Sequence, residues 1–313
     1  IEPTRADTLT LAAGLRSDLL IRAGDALFKN VAPIDGKAMQ SLAWLTPEAG
    51  KRQEMLFGTN NDALAFFPTG SSGTAGVLCV NHEYVMADLS FAHWPKAGPN
   101  RAEERQIWIK SRPQAVAWMQ AAHGVSVVQL EKAPHGWRTV IDGPLTRRIT
   151  ANTPMEIRGP ARGHELMRTN ADPSGTVALG TFANCAGGKT PWGTYLTAEE
   201  NIQDYFGSAK SWTENTKDDA TIEAHRRWPL RERSAYGWDL IDSRFDVRQE
   251  PREALRHGWI VEIDPQQPTA PPKKRTALGR FCHEGANTIL GQDGRVAAYM
   301  GDDAKFEYVY KFV

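Results

Sequence analysis

The sequence predicts an all-β fold, a sandwich or a propeller of short antiparallel strands, broken by helical and loop insertions. Two hairpins and a last strand carry that expectation. The apolar stretch Leu64–Phe67 meets the turn Ser71-Ser72-Gly73 and returns through Val77–Val80, a pattern of short apolar runs bounded by turn formers. Asn287–Leu290 repeats it, turning at Gln292-Asp293-Gly294 and returning through Val296–Met300, while Tyr308–Val313 starts another strand. No strict internal repeat accompanies these hairpins, so the pattern alone leaves sandwich and propeller open.

The insertions read as helices and loops. Arg101–Lys110 is a charged helical stretch, and Ser111–His123 has a Ser111 cap, an early Pro113 and a stop at Gly124. Asp218–Trp228 is a further short helix inside the polar stretch Asn201–Ser234, which has the length and polarity of a lid over a site. Pro265–Arg275, ending in Pro-Pro-Lys-Lys-Arg, is expected to be a solvated loop or linker. These features divide the chain into an N-terminal extension, 1–50, and a main domain, 51–313, with insertions near 100–124 and 201–234.

Bulk properties narrow the function. Thirty-seven Lys and Arg balance 37 Asp and Glu in 313 residues, so no basic excess draws the chain to nucleic acid or anionic lipid. No run approaches the ~18 apolar residues of a membrane span, since Leu9–Leu20 is interrupted by Arg16, Ser17 and Asp18. The chain reads as soluble, and its start at Ile1 fits a processed or trimmed N-terminus. Cys79, Cys185 and Cys282 lie too far apart for a CxxC zinc pattern, and three thiols leave at least one unpaired.

The most informative segment runs from Asn184 to Asn201. Its Gly187-Gly188-Lys189-Thr190 invites a phosphate-loop reading, but Ala183 stands where a Walker motif needs glycine, and Pro191-Trp192-Gly193 follows in place of a helix. A hairpin serves better: a strand ending at Cys185, a glycine-rich turn, and a returning strand ending in Glu199-Glu200. That would place a thiol and carboxylates together, a soft donor suited to iron or zinc beside hard donors suited to calcium and ferric iron. A buried structural cysteine with two surface glutamates is the competing reading. Three further blocks add acidic groups beside apolar stretches: Asn81-His82-Glu83-Tyr84, Phe281-Cys282-His283-Glu284-Gly285 and Gly301-Asp302-Asp303.

Taken together these blocks resemble PhoX-type alkaline phosphatases. The matching residues are Asn81-His82-Glu83-Tyr84; Cys185-Ala186-Gly187-Gly188 with Thr190-Pro191-Trp192-Gly193-Thr194 and Glu199-Glu200-Asn201; Arg280 with His283-Glu284-Gly285; and Gly301-Asp302-Asp303 with Glu307-Tyr308 and Tyr310-Lys311-Phe312. The resemblance covers about Asn81 to the last residue. It implies a β-propeller, of which this chain holds the N-terminal part, whose central end binds iron (Fe3+) and calcium (Ca2+). It implies that Cys185 is an iron ligand and that Glu200, Glu284 and Asp303 are carboxylate ligands. Glu83, Glu199 and Asp302 are acidic neighbours for which a supporting hydrogen-bond role is an equal reading.

The resemblance further implies hydrolysis of phosphate monoesters, by attack of an oxide or hydroxide held on the metals, since no GxSxG nucleophile motif occurs. His82, His283, Lys189 and Arg280 are candidates for contact with the phosphate. Diester or triester hydrolysis on the same cluster, and a non-catalytic calcium-binding propeller, are the alternatives. Family members are exported, commonly by the twin-arginine route, which implies a periplasmic or secreted protein acting on small phosphoesters. They also run well beyond 313 residues, so the remaining blades and some ligands are expected outside this chain.

Overall fold

The computed structural model describes residues 5, 6 and 8–313, so positions 1–4 and 7 of the expected N-terminal extension lie outside the described residues. Leu9, Leu15 and Leu19 are exposed, but from residue 24 on that stretch packs against the body. Leu27, Ile34, Trp44 and Leu45 are all buried against the main body.

The strands fall into three sheets, predominantly antiparallel, as the alternating pattern predicts. The first comprises β1 (Asn61–Pro68), β2 (Ala75–His82), β3 (Gly124–Ala133), β4 (Gly136–Thr139) and β5 (Arg147–Ile149). They run in the order β1-β2-β3-β4, with β5 also on β3. The second comprises β6 (Pro154–Arg158), β7 (Val177–Leu179), β8 (Asn184–Lys189), β9 (Tyr195–Glu199), β10 (Ile260–Ile263) and β11 (Lys273–Arg275), in the order β7-β6-β11-β10-β9-β8. Its one parallel pair is β6 with β11. The third is the meander β12 (Asn287–Leu290), β13 (Val296–Gly301) and β14 (Val309–Phe312). Both expected hairpins and the last strand are present.

Two local expectations fail. The glycine pair does not make the turn: Gly187 and Gly188 lie inside β8, Cys185 stands near its start, and the chain reverses at Thr190–Thr194, closed by Thr190 N–H to Thr194 O at 2.9 Å. Close approach explains glycine there. A Cβ on Gly188 would stand 2.0 Å from the Ala286 carbonyl oxygen, and one on Gly187 2.3 Å from that of Leu196. The second failure is Pro265–Arg275, whose final residues are β11 rather than a solvated loop, with Lys274 fully buried.

Strand β8 is where the sheets meet. Lys189 Nζ donates to Phe66 O of β1 at 2.6 Å, and the Thr288 hydroxyl of β12 donates to Lys189 O at 2.6 Å. Gly188→Ala is therefore expected to force β8 and the Ala286 backbone apart and to cost about 1–3 kcal/mol, the range for an overpacked core. A denaturant melt of the variant showing an unchanged midpoint would contradict this contact.

The insertions are helical as expected, over Arg101–Lys110, Gln114–Ala122 and Asp219–His225, with a further helix over Ala209–Asn215. Asp218 caps the third of these, accepting Thr221 N–H at 3.1 Å. Ser111 does not cap the second; its hydroxyl donates back to Trp108 O at 2.8 Å, and the helix begins after Pro113. These helices pack through aromatic side chains including Phe91, Trp108 and Trp118. Among the described residues no helix is long and apolar enough to cross a membrane.

Candidate metal centre

Antiparallel pairing brings the thiol and the glutamates to one end of the second sheet. Asn184 stands opposite Glu199, so Cys185 and Glu200 flank the same end of the β8–β9 hairpin. Successive residues of extended chain point to opposite sides, which separates Glu199 from Glu200. Glu284 enters from the segment before β12: its carbonyl accepts Ala186 N–H at 2.8 Å, and its N–H donates to Gly301 O at 3.1 Å. This lays the Glu284 carboxylate 3.6 Å from Cys185 Sγ.

Ligand-type atoms of Cys185, Glu200 and Glu284 all lie within 4.8 Å of one another, and those of Asp62, Glu83 and Cys185 form a second such group. Asp303 joins by a hydrogen bond with Glu200. The four residues expected to be ligands thus converge, Glu83 joins them, and Asp62 is a member that sequence reading missed. Its signal was present but inverted in order: Asp62 stands at the start of β1, before the apolar run Leu64–Phe67 instead of after one, and the irregular register between Asn61 and Leu64 sets it beside the His82-Glu83 end of β2.

The electrostatics show what the cluster lacks. Burial pushes the Glu200 carboxyl up to about 7, helped by its hydrogen bond with Asp303 and by nearby Glu284. Burial likewise pushes Glu83 up to about 7, followed by the charge of and hydrogen bond with Asp62. The Cys185 thiol is driven far above its ordinary value by burial and by Glu200, Asp62 and Glu284. None of the ion pairs among the described residues includes Asp62, Glu83, Glu200, Glu284 or Asp303. Five carboxylates and a thiol with no protein cation fit multivalent metal ions, hard oxygen donors surrounding one soft sulfur.

A pH dependence follows. A carboxyl whose folded value is raised binds more protons folded than unfolded, so stability falls as pH rises between the unfolded and folded values. The metal-free protein is expected to lose stability from pH about 4.5 to about 7, the window Glu83 and Glu200 define, and to level off above it. Thermal melts across that range check the slope, and a rising one would contradict it.

Other candidates are engaged elsewhere. Glu199 is fully buried and accepts from Lys274 Nζ at 2.5 Å, Gly258 N–H at 2.9 Å and Trp259 N–H at 3.1 Å. Asp302 pairs with Arg227 and accepts Ala304 N–H at 3.1 Å. His82 lies buried between Thr59 O at 3.2 Å and the Ser126 hydroxyl at 2.7 Å, with burial holding its ring neutral well below the ordinary histidine value. His283 Nε2 is 3.0 Å from Gly279 O, and burial lowers it to about 4. Arg280 donates to His257 O at 2.8 Å and Ala254 O at 2.9 Å and stacks 4.1 Å over Trp228. Together with the Lys189 contact to Phe66, these bonds make the four phosphate-contact candidates ties of the scaffold. Asn81, by contrast, has a place at the centre. Its Nδ2 donates to Cys185 O at 2.5 Å and its Oδ1 accepts from the Tyr195 hydroxyl at 2.9 Å.

Three sheets meeting at a buried thiol and carboxylates define a β-rich protein with a candidate polynuclear metal centre. The chain belongs to the PhoX alkaline phosphatase family: the family profile described as "Alkaline phosphatase PhoX" matches residues 1–313. Among solved structures it is similar to Pseudomonas fluorescens PhoX in complex with vanadate, a transition state analogue. That match has 39% identity and a TM-score of 0.83, over 98% of this chain and 48% of the other. The chain therefore spans about half the length of that relative. No curated protein matches it.

Proposed function

We propose that the chain supplies part of a metal-dependent phosphatase that hydrolyses phosphate monoesters. The observation that carries this is the cluster of Cys185, Glu200, Glu284, Asp303, Glu83 and Asp62, which has no ion pair with a cation among the described residues. The solved relative was captured with vanadate, a transition state analogue, which supports phosphoryl chemistry as the reading for this chain. Ferric iron, for the thiolate, and calcium, for the carboxylates, are the proposed ions. When bound they supply neutralisation of the phosphoryl charge and an activated nucleophile.

The chain's own residues perform the rest. Cys185 and the carboxylates hold and space the ions, Asn81 fixes the Cys185 peptide, and burial of Cys185 and Glu200 keeps bulk water from competing for them. We further read the three sheets as blades of a propeller, supported by the way β1 and β12 both lie against β8. Export to the periplasm or beyond by the twin-arginine route is proposed on family membership.

The test is hydrolysis of p-nitrophenyl phosphate by the purified enzyme, measured beside a diester. Activity is expected to disappear on chelation and return when calcium is added with iron already bound. Full activity of a metal-free preparation would remove the reading, and a preference for the diester would move it to phosphodiesterases.

A further inference from the structure

Three cavities form a row leading away from the cluster. The first, about 220 Å³, begins at Glu83 and is walled by Tyr84, Asn201, Tyr205 and Tyr236. A second, about 250 Å³, shares Tyr84 and Tyr236 with it and is lined further on by Val85, Met86, Trp94 and Arg105. A third, about 230 Å³, meets the second at Arg105 and Ala235 and adds Arg101 and Arg233. The row thus starts beside carboxylates, passes between aromatic and apolar side chains, and ends among three guanidinium groups.

Those guanidinium groups have donors to spare. Arg105 Nε donates to Pro95 O at 2.9 Å and its plane lies 5.4 Å over Trp94, while no protein partner takes its terminal nitrogens among the described residues. Arg101, four residues earlier on the same helix, is exposed and has no ion pair among the described residues; burial lowers Arg105, the like charge of Arg101 adds to this, and Asp88 opposes it. Arg233 pairs at 2.9 Å with Glu103, an exposed contact of the kind worth little in water. The one acid in the third cavity, Asp239, accepts from the Ser234 hydroxyl at 2.5 Å, and burial raises its carboxyl. The lining of the third cavity thus sets three guanidinium groups against one carboxyl, with Asp88 of the second cavity acting on Arg105 from the other side.

We propose that this row is the leaving-group groove and that Arg101, Arg105 and Arg233 form an anion subsite at its far end. The preferred substrates are then phosphoesters whose alcohol carries a flat apolar body and a second, distal anionic group. This rests on the phosphatase reading. Tyr84 and Tyr236 offer stacking surface to the body, and guanidinium forks suit a carboxylate or phosphate.

The test compares 4-(2-carboxyethyl)phenyl phosphate with its methyl ester, which differ only in the distal charge, on the metal-loaded enzyme. The acid is expected to show a KM lower by roughly 5–10-fold, the scale of an exposed charge-assisted contact. In the R101Q/R233Q variant that advantage should vanish, with the methyl ester's KM and both kcat values unmoved. Equal KM values in the unmodified enzyme, or a variant that shifts both esters alike, would overturn the subsite. Turnover of neither ester would overturn the phosphatase reading instead. Calorimetric titration with 3-phenylpropanoate would then decide the subsite separately: binding weakened by R101Q/R233Q supports it, and binding absent or unchanged by the variant rejects it.

Discussion

Replacing Cys185 by serine is expected to lower kcat/KM for a phosphate monoester by at least about 100-fold and to empty the proposed iron position. Losing an outer hydrogen-bond partner of a ligand already costs about 10–100-fold in metal affinity or activity, so losing the only soft donor costs more. A serine hydroxyl keeps its proton at neutral pH and offers iron no equivalent of a thiolate. The scaffold should survive, because Asn81 binds the carbonyl of residue 185, not its side chain. Elemental analysis and steady-state kinetics on the same preparation check both halves. Wild-type iron content with wild-type activity would make Cys185 a buried bystander.

Lys274→Met should be the most destabilising single change outside the cluster. Lys274 and Glu199 are both fully buried, and His257 lies 3.1 Å from the ammonium and 3.7 Å from the carboxylate. Removing one partner of a buried pair strands the other charge, at a cost of about 3–5 kcal/mol. Glu199→Gln in the same chain should recover part of that loss. The pair also sets an acid limit. Lys274 and His257 hold Glu199 down at about 2 against the desolvation that opposes them, so its contribution is complete above its ordinary value near 4.5 and fades as pH falls toward 2. Denaturant midpoints at pH 7 and pH 3 should show a large gap between wild type and K274M at the first and a smaller one at the second. A loss below about 1 kcal/mol at pH 7 would mean that Glu199 is satisfied by the Gly258 and Trp259 amides alone.

Local pattern carried the hairpins and helices well, because alternation, turn residues and capping are properties of neighbouring residues. It marked the acidic blocks around Cys185, Glu200, Glu284 and Asp303, but only the family resemblance singled those four residues out. What it could not weigh was which of two adjacent acids faces the centre. Glu199 and Glu200 look alike in sequence, and only the side of the strand distinguishes a carboxylate tied to Lys274 from one beside Cys185. Lys274 was hidden for a related reason: Pro-Pro-Lys-Lys-Arg has the composition of a solvated loop, yet pairing with β6 and β10 carries its middle lysine into the interior. Asp62 escaped because its role depends on a register irregularity that no composition rule marks.

The tie between Asn81 and the Cys185 carbonyl has a consequence for how the protein comes into being. Its two ends are 104 residues apart, and Cys185 and Glu284 are a further 99 apart. Contacts of such separation carry a loop-closure cost that must be met before the contacts reward it. A growing chain therefore has no metal cage to offer until the segments around Asn81, Cys185 and Glu284 have docked. Cations would then be captured as the docked segments come together, so the expected order of events runs from docking to loading.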